Sequence, residues 1–154
     1  MLEPPEILHT EEQLTAVIHL TIPRSEIRNV MAPGLAEIKA ALAAQGIAST
    51  GPWMAHHITT HPDIFDFEIC VPVAAPITAS GRVQPSRWPA MRVARTVYQG
   101  DFIQLHNAWA EFGDWIKAHG HTGAPDLWER YLVTPDINPD PASWRAELNR
   151  ELIR

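Results

Sequence analysis

The sequence predicts an α+β fold built from two similar half-units, each running strand, helix, strand, strand. Three observations predict it. Six short stretches are rich in β-branched and aromatic residues and alternate in polarity, the period of a half-buried strand. Two longer stretches carry apolar residues at helical spacing. The order of these stretches repeats once along the chain. Within that repeat, Gly51-Pro52-Trp53-Met54-Ala55-His56-His57 falls where Ala124-Pro125-Asp126-Leu127-Trp128-Glu129-Arg130-Tyr131 falls in the second half. Half-units of about 12–75 and 90–153, related by a pseudo-twofold axis, would share one largely antiparallel sheet with both helices on one face, as a single domain over residues 1–154. Their junction is the natural place for a cleft, because concave ligand sites favour such junctions.

The first strand is expected over residues 14–22, ended by Pro23, with a short helical turn at 24–28. Pro33, favoured at a first helical position, opens a helix to about Gln45, with Leu35, Ile38, Ala41 and Leu42 at helical spacing and Gly46 as its stop. Gly51-Pro52 turns the chain into a second strand over 53–60. A third, over 65–73, sets Phe65, Phe67, Ile69, Val71 and Val73 on one face and Asp66, Glu68 and Cys70 on the other. Residues 76–89 hold breakers at Ser80-Gly81 and Gln84-Pro85-Ser86, and are expected to form a loop. The fourth strand covers 91–99. Asp101 then caps a helix from Phe102 to about Ala118, with Phe102, Leu105, Trp109, Phe112 and Ile116 as its buried stripe. Gly120 and Gly123 end it, and the last two strands cover 127–133 and 144–152.

Size and composition exclude several classes. A chain of 154 residues with a hydrophobic fraction of 45% is a globular domain with a proper core. No apolar run approaches the roughly 20 residues of a membrane span. The N-terminus lacks the pattern of a secretory signal, and the one cysteine, Cys70, fits a reducing compartment. A cytoplasmic protein with no membrane partner is expected. The net charge of −6 and the lack of a helix-turn-helix pattern argue against nucleic acid as a direct partner. No P-loop, G-x-G-x-x-G or G-x-S-x-G elbow occurs, so no cofactor and no covalent or nucleotide-dependent chemistry is expected. His56 and His57 are neighbours on a strand and point to opposite faces. His119-Gly120-His121 lies at a helix end without Cys or Asp at ligand spacing, so no metal site is expected either.

One charge is out of place. On the fifth strand alternation puts Leu127, Glu129, Tyr131 and Val133 on one face and Trp128, Arg130 and Leu132 on the other. A carboxylate on an apolar, aromatic face is costly to bury unless something binds it. Glu129 is then an acid that pairs with a ligand cation or activates water, an edge-strand glutamate in solvent, or the partner of a neighbouring arginine. Tyr131 shares its face and is either a hydrogen-bond donor to it, a ring that stacks on a ligand, or a core residue. Trp53 and His57 share one face of the second strand and would line the opposite side of the cleft. Glu129's counterpart in the first half falls at about Ala55, so the cleft would hold one acid on one side. Tyr98, Trp109 and Trp115 are core residues or, at a cleft, rings that stack on a flat ligand and attract its positive charge. Cys70 reads as a small buried apolar group, not a nucleophile.

Three motifs in order carry a family resemblance. They are Gly51-Pro52-Trp53 followed by Phe65-Asp66-Phe67-Glu68-Ile69-Cys70-Val71-Pro72-Val73; Tyr98-Gln99-Gly100-Asp101-Phe102 with Leu105, Ala108-Trp109 and Trp115; and Glu129-Arg130-Tyr131 followed by Trp144-Arg145-Ala146-Glu147-Leu148. Over roughly residues 14–152 the chain resembles the GyrI-like effector-binding domains, which also form the ligand-binding part of many AraC-type and MerR-type bacterial transcription activators. It departs from the pattern at His57, where the family often has an aromatic residue, at Phe102, where tyrosine is frequent, and at Arg150-Glu151, where a proline is usual.

The resemblance implies a freestanding form with a hydrophobic cleft. In it a pocket acid, here Glu129, binds bulky aromatic, often cationic compounds; Tyr131, Trp53, His57, Tyr98, Trp109, Trp115 and Phe67 are the further ligand-binding candidates of this sequence. Multidrug-type binding, for sensing through an unknown protein partner or for sequestration, is the leading expectation. Some freestanding members of the family are hydrolases that open cyclopropane rings. Here that chemistry would use Glu129 as general base for a water, Tyr131 as its hydrogen-bonding partner, and Trp109 and Trp115 as a stacking platform. A third class, protein-interaction modules such as gyrase inhibitors, calls for an acidic surface, whereas the acids of this chain are scattered.

Overall fold

The computed structural model describes residues 1–153. In chain order their strands and helices are β1 (Glu6–His9), β2 (Gln13–Pro23), α1 (Ile27–Gln45), β3 (Met54–Thr60), β4 (Ile64–Pro72), β5 (Gln84–Trp88), β6 (Arg92–Gln99), α2 (Leu105–Ala118), β7 (Leu127–Val133) and β8 (Arg145–Glu151). Short 3-10 turns lead into α1 (Arg24–Glu26), α2 (Phe102–Gln104) and β8 (Pro141–Ser143). The fold is α+β, as the repeated order of elements predicts. The chain divides into two compact units, an N-terminal one of residues 11–90 and a C-terminal one of residues 1–10 and 91–153.

In the N-terminal unit the strands are ordered β3-β4-β2-β5, each pair antiparallel. Helix α1 lies on the face that carries Phe67 and Ile69. Gly34 approaches the sheet so closely that a Cβ there would stand 2.5 Å from Ile69 Cδ1. Gly34, Ile38, Ala41 and Leu42 form the buried stripe of the helix. The start expected at Pro33 is corrected to Ile27, with Pro33 inside the helix. Ile27, Val30 and Met31 continue the stripe upstream, so burial of that side outweighs the proline's preference for a first turn. Gly46 ends the helix in the left-handed region, φ 67°, and its amide bonds back to the last turn. The segment expected to be loop contains β5, which pairs with the start of β2 from Gln84↔Val17 to Trp88↔Gln13. Pro85 is tolerated because β5 is the outer strand of this unit.

In the C-terminal unit the order is β1-β6-β8-β7, again antiparallel. Strand β1, absent from the sequence expectation, pairs with β6 from Glu6↔Arg95 to His9↔Arg92. Asp101 caps the turn before α2 by accepting the Ile103 amide at 3.0 Å. The buried stripe of α2 is Ala108, Phe112 and Ile116, so Trp109 sits on its flank instead of at its centre. In β7, Tyr131 faces Ala146 but Val133 faces Arg145, leaving Leu132 as an extra residue. This bulge reverses the alternation and takes Val133 off the face of Glu129, a second correction. Strand β3 has the same irregularity, with His57 facing Phe67 and Thr59 facing Asp66. His57 and Tyr131 are therefore equivalent positions, as are Ala55 and Glu129.

The repeat is longer than expected. Strand β1 stands before β2-α1-β3-β4 as β5 stands before β6-α2-β7-β8, yet β1 belongs to the C-terminal unit and β5 to the N-terminal one.

Candidate functional site

Strand register assembles the site. Glu129 faces Leu148, which faces Thr96; Tyr131 faces Ala146, which faces Tyr98. These two rows share one side of the sheet, and α2 covers it. Glu129 is 5% exposed, which makes its surroundings decisive. The indole Nε1 of Trp109 donates to its Oε2 at 2.7 Å, and the Tyr131 hydroxyl donates to its Oε1 at 2.6 Å. Neither donor carries a charge, so these bonds orient the carboxylate without cancelling it.

Arg130 points to the face opposite that of Glu129. It lies there with Arg95 near Glu147, whose Oε1 is 3.7 Å from Arg130 Nε and 3.3 Å from Arg95 Nε. Asn149 braces the group, giving 2.9 Å to Glu147 and accepting from Arg95 at 2.6 Å. Burial lowers the pKa of Arg130, Glu147 opposes that, and Arg95 adds to it.

Aromatic rings continue from Tyr131. Phe102 lies 5.8 Å from it and 5.4 Å from Trp144, and Trp109 lies 5.9 Å from Phe112. Phe102 and Trp144 were not among the expected site residues. The sequence marks Phe102 as part of a helix stripe and Trp144 as a strand end; only the fold sets Phe102 beside Tyr131 and Trp144 beside Phe102. The other expected residues are placed as follows. Tyr98 is buried beside Ala146, its hydroxyl donating to the Asp101 carbonyl at 2.9 Å. Trp115 is stacked on His119 at 4.0 Å near the C-terminal end of α2, on a different flank from Trp109. Trp53, His57 and Phe67 belong to the N-terminal unit, where His57 stacks on the buried Phe67 at 5.7 Å and Arg24 sits 4.3 Å over Phe65. Ala55, the equivalent of Glu129, is wholly buried there.

Among the described residues no group of three or more His, Cys, Asp or Glu is placed to hold a metal ion. Cys70 is buried, and desolvation first, with Glu68 adding to it, pushes its thiol pKa well up.

Over residues 3–148 the sequence matches the GyrI-like small molecule binding domain family. The chain belongs to that family. Solved structures similar to this GyrI-like domain include the C-terminal domain of EcmrR, with a TM-score of 0.84 at 18% identity over 98% of each chain. The complex of EcmrR with DNA gives 0.83 at 19% identity, covering 97% of this chain and 57% of that one. The GyrI-like domain thus spans little more than half of the EcmrR chain. A hydrolase from Listeria innocua gives 0.68 at 12% identity, over 96% of this chain and 91% of that one. SAV2435 bound to tetraphenylphosphonium gives 0.62 at 10%, over 97% and 94%. At these identities the likeness is one of fold. No curated protein matches the chain. Because EcmrR is seen with DNA as part of a longer chain, the expectation of no nucleic-acid partner gains no support. Among the described residues no helix is long and apolar enough to cross a membrane.

Proposed function

We propose that this GyrI-like domain binds an amphipathic aromatic cation at Glu129, for sensing or sequestration. The observation that supports this is the buried carboxylate held by Trp109 and Tyr131 beside a run of aromatic rings. Burying a carboxylate is expensive, and a cation brought against it recovers part of that cost. Ring faces attract the same cation and cover its apolar body, which makes such a site tolerant of ligand shape. The tetraphenylphosphonium held by SAV2435 is a bulky aromatic cation of this kind. Hydrolysis is the alternative, with Glu129 as general base for a water that uses the lone pair each oxygen keeps beside its hydrogen bond to Trp109 or Tyr131.

The test is titration with rhodamine 6G, followed by tryptophan fluorescence, since Trp109 touches the acid. Saturable quenching is expected, and Glu129→Gln should weaken binding by about tenfold or more, the worth of one charge-assisted contact. Absence of saturable quenching, or unchanged affinity in the variant, would sink the proposal.

A further inference from the structure

We propose that the ligand is a zwitterion, an aromatic cation that also carries a carboxylate, and that Arg150 holds the carboxylate. The inference rests on the binding function just proposed and adds a second polar anchor to it.

Alternation along β8 puts Leu148 and Arg150 on the same face of the sheet, and Leu148 is opposite Glu129. Arg150 is therefore the diagonal neighbour of Glu129 across the strand pair, a relation in which backbones stand about 7–8 Å apart and long side chains come within reach of one ligand. Helix α2 covers both. Trp109 touches Glu129, and Gly113, one turn further along the same flank, would place a Cβ 3.7 Å from Arg150 Nη1. On the other side a Cβ at Gly123 would fall on the Nε, Cδ and Cζ atoms of Arg150. Two glycines thus leave the space that the guanidinium fills.

The guanidinium is fixed as well as accommodated. Its Nε donates to the Ala124 carbonyl at 2.8 Å. Among the described residues neither Nη group donates to the protein, so the forked end is left to water or to an anion. Burial works against its charge, while Asp126 favours it through space. An arginine anchored through Nε presents both Nη groups in the geometry that grips a carboxylate by two parallel bonds. Acid and guanidinium stand under successive turns of one helix, and Leu127 shares the face with Glu129. A molecule with an apolar body, a cation at one end and an oxyanion at the other matches that spacing.

Two dyes that differ in one group test this: rhodamine B, which has a free carboxylate, and its ethyl ester. The domain's net charge of −6 repels an added carboxylate, so without a cation in the site the ester binds more tightly. With Arg150 engaged the order reverses, and the acid should bind about tenfold more tightly than the ester. Arg150→Gln should restore the ester's advantage and, by removing a positive charge beside the cation, should bind the ester more tightly than the wild type does. Arg150→Lys should keep part of the acid preference. If the wild-type domain binds the acid no better than the ester, the inference is overturned, whatever the variants do. In that case ester binding that still depends on Glu129 leaves the binding function standing, whereas failure of both dyes to bind removes both.

Discussion

Tyr98 and Tyr131 flank Ala146 in one row of the C-terminal unit, and their hydroxyls serve different ends. Tyr131 donates to the Glu129 carboxylate, whereas Tyr98 donates to the Asp101 carbonyl and closes the turn before α2. Gly100, in that turn, has φ 143°, and a Cβ there would stand 2.7 Å from the Tyr98 hydroxyl, so both residues are needed for the close approach. Burial, with Asp101 adding to it, raises the Tyr98 pKa above its ordinary value. Below about pH 10 the phenol is protonated in both folded and unfolded chains. Above that the unfolded chain ionises first, so stability falls as pH rises towards the folded value. Tyr98→Phe should cost about 1 kcal/mol at neutral pH for the lost hydrogen bond. It should also flatten this alkaline limb, as measured by urea denaturation across a pH series; an equally steep limb in the variant would contradict it. At this scale the period of a strand makes the face of Glu129 and Tyr131 legible in sequence. It cannot supply the Trp109 bond, which depends on how α2 is rotated over the sheet, nor the departure of Val133, which depends on one extra residue in β7.

Among the elements, α1 separates local preference from tertiary demand most clearly. Proline favours a first turn, and that rule places the start six residues too late. Ile27, Val30, Met31, Gly34, Ile38 and Leu42 follow one helical face, and burying that face carries the helix through Pro33. Pro33 lacks the amide that would bond to the Asn29 carbonyl, and it is exposed, so burial of its ring offsets little of this. Replacing it with alanine removes a penalty of about 3 kcal/mol and returns about 1 kcal/mol of unfolded-state entropy. Pro33→Ala should therefore stabilise the protein by about 2 kcal/mol and raise Tm by about 4–8 °C in calorimetry. A lower Tm would mean that the ring shapes the entry to α1 in a way the helix needs. Strands β1 and β5 stay hidden in sequence for the complementary reason. One has four residues and follows Pro4-Pro5, and the other contains Pro85, so each depends on a distant partner strand for its existence.

At the scale of the whole chain, those two strands decide what each unit requires in order to fold. Strand β1 lies outside both expected half-units, about 12–75 and 90–153. It pairs with β6 across more than half the length of the chain, with Glu6 facing Arg95. The arm that carries β1 is held along its length: Glu3 accepts the Thr96 hydroxyl at 2.6 Å, pairs with Arg145 at 2.6 Å, and Leu2 bridges Tyr98. Thr96 and Tyr98 stand in the rows of Glu129 and Tyr131, so the arm edges the strand that backs the site. Removing residues 1–10 strips these contacts but deletes no residue proposed to touch ligand. The truncated protein should lose about 2–4 kcal/mol, the worth of several net hydrogen bonds less the entropy of ordering the arm. Hydrogen exchange should show protection lost along β6 and kept along β4, because β4 has its own neighbours in β2 and β3. Adding the peptide of residues 1–10 should restore the protection of β6. Unchanged protection along β6 in the truncated chain would show that the C-terminal unit closes without its borrowed strand.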